Sequence, residues 1–190
     1  DEKWLSTTQR ELSEIGFHGT GAFCTGTYSL IQIHNASNPS SPLTLAPSFA
    51  FLSQFKSEKS YNYPGGSDDN AAGLVFYNGW AEWCDSYLAG SAFADYLRDP
   101  NVLGFFSDNE INFSSNSSRI LDRFLAINSS NDPAYVAAKG FMDSKGVQSV
   151  TDALNNEFAG IVAEKYYKAV KEAVMKVCLL YTSDAADEED

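Results

Sequence analysis

The chain has 190 residues, 44% of them apolar, enough for a domain with a real core and unlike a disordered or fibrous composition. Its formal charge is −12, and without clustered Lys and Arg to neutralise phosphates it excludes nucleic acid as a partner. No run reaches the roughly eighteen apolar residues of a bilayer-spanning helix, so no membrane partner is expected.

From Trp4 to Ile15 the pattern WLSTTQRELSEI places Leu5, Leu12 and Ile15 on one side, predicting a helix that Gly16 ends. FHGTGAF, 17–23, is short and β-like, the first helix-to-strand step. Residues 34–42 are a loop by composition, and PLTLAPSFAFL, 42–52, reads as a second strand with its exit. His34 stands just after a β-like segment. The stretch 57–70, SEKSYNYPGGSDDN, predicts an exposed loop whose glycines permit positive φ.

Between Asn78 and Leu97, Trp80, Trp83, Cys84, Tyr87 and Leu88 recur at helical spacing and predict an amphipathic helix. Arg98-Asp99-Pro100-Asn101 ends it, because proline disfavours a helical residue before it. Val102 to Phe106 is a continuous apolar run, as in a strand buried on both faces. Short helical stretches follow around ILDRFLAI and YVAAKGFMDSKG. The clearest helix is 152–177, with Leu154, Phe158, Ile161, Val162, Tyr166, Ala169, Val170, Ala173 and Val174 on one face. Helices alternating with buried strands predict an α/β fold with parallel strands and right-handed crossovers.

Cys24 and Cys84 stand sixty residues apart, with no CxxC and no histidine at metal-ligand spacing, so both are read as small core residues. No GxSxG elbow supports Ser-His-Asp catalysis. Gly65-Gly66 lacks the Lys-Ser/Thr of a phosphate loop, and no GxGxxG opens a helix. Trp80 and Trp83 either offer aromatic planes to a ligand or pack the core, and their helical spacing favours the core. His18 is read as structural.

The third apolar run ends in Ser107-Asp108-Asn109-Glu110. In parallel β/α folds, ligand sites form beyond the carboxyl ends of strands, where loops converge above a rigid sheet. An amide that can hold a hydroxyl, beside a carboxyl that can transfer a proton, suits a polyhydroxylated ligand. By residue type alone, the cluster is either such a site or the start of a solvated loop.

RDPNVLGFFSDNE, 98–110, resembles the fourth-strand segment of (β/α)8-barrel glycoside hydrolases of the large retaining clan, in which an aromatic-rich strand ends in Asn-Glu. LDRFLAI, the Tyr-Tyr helix EFAGIVAEKYYKAV and the opening ELSEIGFHGTGAF are similar to β-agarase-like and β-galactosidase-like members. The resemblance implies a partial (β/α)8 TIM barrel over 1–177, roughly the first helix through the fourth. It implies Glu110 as general acid/base and Asn109 as the group that binds the sugar's 2-hydroxyl. The partnering nucleophile of these families comes from the seventh strand, which lies beyond 1–177. Where relatives tend to carry Asp-Pro after the Val-Phe of the third loop, this chain has Val75-Phe76-Tyr77-Asn78.

Asp108 either supports the substrate site or bonds neighbouring backbone, and His34 is a further candidate for lining the cleft. No metal or organic cofactor is required by the implied chemistry. The expected partner is an oligosaccharide or polysaccharide, and a polymer substrate implies a secreted or periplasmic location. A carbohydrate-binding module without catalysis is the competing class.

Cys178 to Glu188, CLLYTSDAADE, resembles the conceptual translation of a sequencing-library adapter. On that reading 178–190 is an artefact tail, the gene is truncated, and the isolated chain is inactive and poorly soluble. A natural acidic tail is the alternative. The chain starts DEKW, and its lack of a leader carries little weight if that terminus is a cut end.

Overall fold

The computed structural model describes residues 2–22, 28–90, 96–113 and 118–177. The chain divides into two compact units, Asp1–Phe49 with Ser91–Asp108, and Ala50–Gly90 with Asn109–Asp190. The described residues are mostly helical and carry one small parallel sheet of two strands.

In the first unit, helix α1 spans Glu2–Glu14. It closes with Gly16 at φ 92 and with the Phe17 amide donating to Leu12 O at 2.9 Å, a Schellman ending that needs the left-handed residue glycine supplies. The apolar side expected of α1 is corrected at its end, because Leu12 and Ile15 are exposed. The β-like segment after α1 runs parallel to residue 44: the Thr44 amide donates to His18 O at 3.0 Å, and the Thr20 amide donates to Thr44 O at 2.9 Å. Gly19 is required there, since a Cβ would lie 2.1 Å from Thr44 Oγ1.

Helix α2, Tyr28–Ser37, buries Tyr28, Ile31 and His34, spaced by three along one face. This corrects the expectation of a β-like segment before His34. Tyr28, Ile31 and Ile33 read as strand by residue type, but the three-residue spacing of the buried set is helical. Asn35 pins the helix to the chain that follows, accepting from the Leu43 amide at 2.8 Å and donating to Leu43 O at 3.0 Å.

Strand β1, Ser48–Phe49, pairs in parallel with β2, Phe106–Ser107, Ser48 facing Phe106 and Phe49 facing Ser107. A bridge from Leu45 to Val102 extends the ladder backwards. The three extended segments around residues 19, 44–49 and 102–107 are therefore parallel neighbours in chain order. Tyr28, Ile31, Leu43, Leu45 and Val102 form the unit's core, with Tyr96 and Phe105 against it. The apolar run at 102–106, expected from its composition to be buried on both faces, is not: Leu103 is 71% exposed and Phe106 51%.

The second unit is helical. Helix α3 (Phe51–Glu58) leads into 3-10 turns at Pro64–Gly66 and Asp68–Phe76, then α4 (Trp80–Ala89), α5 (Ile120–Leu125), α6 (Pro133–Lys145) and α7 (Asp152–Val177). The stretch read as an exposed loop, 57–70, instead folds into those turns and buries Pro64 and Asn70. The apolar stripe of α4 is core, with Trp80, Trp83, Cys84 and Leu88 buried. The helix ends at Ala89 rather than Leu97, and 91–95 lie outside the described residues, as does Cys24.

Helix α7 is the spine of this unit. It buries Phe158, Val162, Tyr166, Ala169, Val170 and Ala173 at three- and four-residue spacing, as its sequence pattern predicts. Phe158 meets Phe76, Phe124 and Phe141 at ring-centroid distances of 6.1, 6.0 and 5.3 Å, and Trp80 stacks on Tyr166 at 5.9 Å. Among the described residues no helix is long and apolar enough to cross a membrane. The proposed tail, 178–190, lies outside the described residues.

Candidate active site

Strand β2 delivers the acid-amide cluster. Its last ladder bond runs from the Asp108 amide to Phe49 O at 2.6 Å, so Asp108 belongs to the first unit and is half-buried. The backbone then turns sharply: Asp108 (φ 53) and Glu110 (φ 51) both lie in the left-handed region, with Asn109 between them. Such a conformation costs roughly 1–2 kcal/mol for a residue other than glycine and persists only where the surroundings impose it. Asn109 and Glu110, the first residues of the second unit's later segment, are exposed.

Arg123, on α5, fixes the chain just beyond Glu110. Its guanidinium donates to Asn112 O at 2.8 Å, Ser118 O at 2.6 Å and Asp69 O at 3.3 Å, and its Nε donates to Asn70 Oδ1 at 3.2 Å. Burial pulls the Arg123 pKa below its usual value, and Asp69 opposes that pull. The carbonyl acceptors compensate the buried charge and hold segments 69–70, 112 and 118 together.

The structure thus places Asp108, Asn109 and Glu110 in one turn directly after a parallel strand. His34 sits elsewhere, in the first unit on α2, 8% exposed. Its Nδ1 stands 3.4 Å from Asn38 Nδ2 one helical turn on, and its buried Nε2 meets no hydrogen-bond partner among the described residues. Trp80 and Trp83 are core residues, with Trp83 Nε1 donating to Glu58 Oε2 at 2.8 Å.

Within the second unit, a cavity of about 840 Å³ opens between residues 60–77 and 123–132. Asp132 joins its two walls: it caps α6 by accepting from the Ala134 amide at 2.9 Å, and it also accepts from the Gly65 amide and the Tyr77 hydroxyl, each at 3.1 Å. Burial, and then the Asp132 charge, raise the Tyr77 phenol well above its ordinary pKa. The local sequence signal was only an Asn/Tyr-rich Pro-Gly-Gly stretch and a second Asn/Ser-rich stretch far along the chain.

The described fold resembles that of a solved glycoside hydrolase. The chain is similar to the crystal structure of BpGH50, at 52% sequence identity and a TM-score of 0.87. The match covers 91% of this chain and 39% of that one, so the chain spans well under half the length of the relative it resembles. No family model matches the chain, and no curated protein does.

Proposed function

We propose that this chain is part of a retaining glycoside hydrolase that cleaves a β-linked galactose-containing or related polysaccharide, β-agarase-like or β-galactosidase-like, with Glu110 as general acid/base. The observation that carries the reading is the Asn109-Glu110 pair standing immediately past a parallel strand, in a chain 52% identical to BpGH50. Three parallel segments neighbouring one another in chain order support a partial (β/α)8 barrel over 1–177. Residues 178–190 are assigned to an artefact tail.

In this mechanism Glu110 donates its proton to the leaving glycosidic oxygen as that bond breaks. A second carboxylate, about 5 Å away in a retaining site, attacks the anomeric carbon and forms a glycosyl ester. Glu110, now ionised, takes a proton from water; the water's oxygen bonds to the anomeric carbon, and the ester bond breaks to release the nucleophile. Asn109 binds the 2-hydroxyl of the reacting sugar, and Asp108 supports the turn. The nucleophile is assigned to the portion of the longer relative that this chain does not match, so the 190 residues alone are inactive.

The test uses the chain extended to the length of BpGH50 and a neutral β-galactan or agar-type polysaccharide. The reading expects new reducing ends, with the β-anomer appearing first by NMR. Sugar binding without new reducing ends would instead make the protein a carbohydrate-binding module, and first release of the α-anomer would exclude retention.

A further inference from the structure

The cavity of the second unit differs in chemistry from the acid-amide turn. Tyr61, Tyr63 and Tyr77 supply half-buried aromatic walls, with Tyr61 edge-on to Tyr77 at 5.1 Å. Of its three charged groups, two are engaged by the protein. The Asp132 carboxylate accepts from three donors, and the Arg123 guanidinium is taken up by carbonyl and amide oxygens. The rim carries the exposed Asp69 carboxylate and three neutral amides, Asn62, Asn128 and Asn131, which line the cavity and are exposed.

Aromatic surfaces with amides at their edge fit a ligand that has an apolar face and a ring of hydroxyls, which describes a pyranose. Asp69 and Asp132 outnumber Arg123 among the lining charges, which disfavours an anionic ligand. A volume of about 840 Å³ lies within the usual range for small-molecule sites and admits more than one sugar ring. Arg123 also connects the cavity to the turn, because the guanidinium in its wall holds Asn112 O, two residues past Glu110.

We propose that this cavity is a subsite for a neutral oligosaccharide, gripping sugar units beyond those at Glu110 through Tyr61 and Tyr63 and the amides of Asn62, Asn128 and Asn131. The assignment of the ligand as substrate rests on the glycoside hydrolase reading above. The subsite itself needs no catalysis to be detected.

The test is ligand-observed NMR, which needs little protein, on the 190-residue chain with a neutral β-linked galactose-containing hexasaccharide and its sulfated counterpart. The neutral sugar is expected to bind, with the sulfated one at least about 10-fold weaker. Tyr63→Ala and Asn62→Ala are each expected to weaken the neutral sugar by about 10-fold. Asn62 is exposed, so Asn62→Ala keeps the fold even if Tyr63→Ala disturbs it; an unchanged thermal midpoint checks this. No binding, or wild-type affinity in a folded Asn62→Ala with Tyr63→Ala, overturns the subsite. Preference for the sulfated sugar overturns its neutral character. If the extended protein cleaves polysaccharide while these variants bind normally, the subsite alone falls. If it never cleaves but these variants lose binding, the hydrolase reading falls and the subsite stands.

Discussion

The first unit hides Tyr28, Ile31, Leu43, Leu45 and Val102 but leaves Phe17, Ile33, Leu103 and Phe106 exposed, whereas the second, which also exposes Val136, Tyr167 and Met175, closes ring after ring around the buried face of α7. The difference follows from the backbone. Helices satisfy their own amides and carbonyls and need only one buried face, which α4, α5, α6 and α7 give one another. A parallel ladder must find its hydrogen bonds and its side-chain packing in neighbouring segments. Among the described residues, the ladder bonds of 101–108 run to segment 45–49, and the apolar side chains beyond that pairing stay in water.

That contrast can be broken by substitution. The largest effect belongs to the second unit: Phe158→Ala removes a ring that touches Phe76, Phe124 and Phe141 and should cost about 3–5 kcal/mol, read from the urea midpoint. A cost below about 1 kcal/mol would mean that the core collapses around the gap and that α7 is not its spine.

A smaller effect is expected at Tyr77. The folded state holds its phenol proton more tightly than the unfolded state, whose phenol titrates near the ordinary value of about 10. The resulting stabilisation is complete below about pH 10 and is lost as pH rises from there towards the raised folded value. Tyr77→Phe should therefore cost about 1–2 kcal/mol at neutral pH, through the lost bond to Asp132, and flatten the decline in stability above about pH 10. An identical alkaline decline in both proteins would show that Tyr77 is not the group responsible.

The smallest effect on stability belongs to the first unit. Leu103→Ser with Phe106→Ser should change it by no more than about 0.5 kcal/mol, while raising the concentration at which the chain stays monomeric in sedimentation. A loss above about 2 kcal/mol would place these side chains in a core and erase the distinction between the units.

Long helices were the most legible part of the chain. The stripe of α4 and the face of α7 could be read because one buried side at helical spacing leaves a periodic trace in sequence. The parallel relation of the extended segments followed from their alternation with helices, and Gly16 marked the end of α1. The helix around His34 was missed because Tyr28, Ile31 and Ile33 carry strand preferences, which the packing of Tyr28 and Ile31 on Leu43 and Leu45 overrides. The exposure of Leu103 and Phe106 was hidden because an apolar run records what a strand can bury, and not whether a neighbour is present. At the site, the acid-amide cluster was visible as an abrupt polar end to that run. The cavity was not: Tyr77 and Asp132, far apart in sequence, meet through a side-chain bond, and Tyr61 joins them by its ring contact with Tyr77.

The role of Glu110 is tested most directly by Glu110→Gln in the protein extended to the length of BpGH50, assayed on the polysaccharide and on an aryl glycoside with a good leaving group. The account predicts a loss of at least about 10²-fold on the polysaccharide, a much smaller loss in the first, bond-breaking step on the aryl glycoside, and unchanged sugar affinity. Polysaccharide turnover within a few-fold of the parent protein would contradict it.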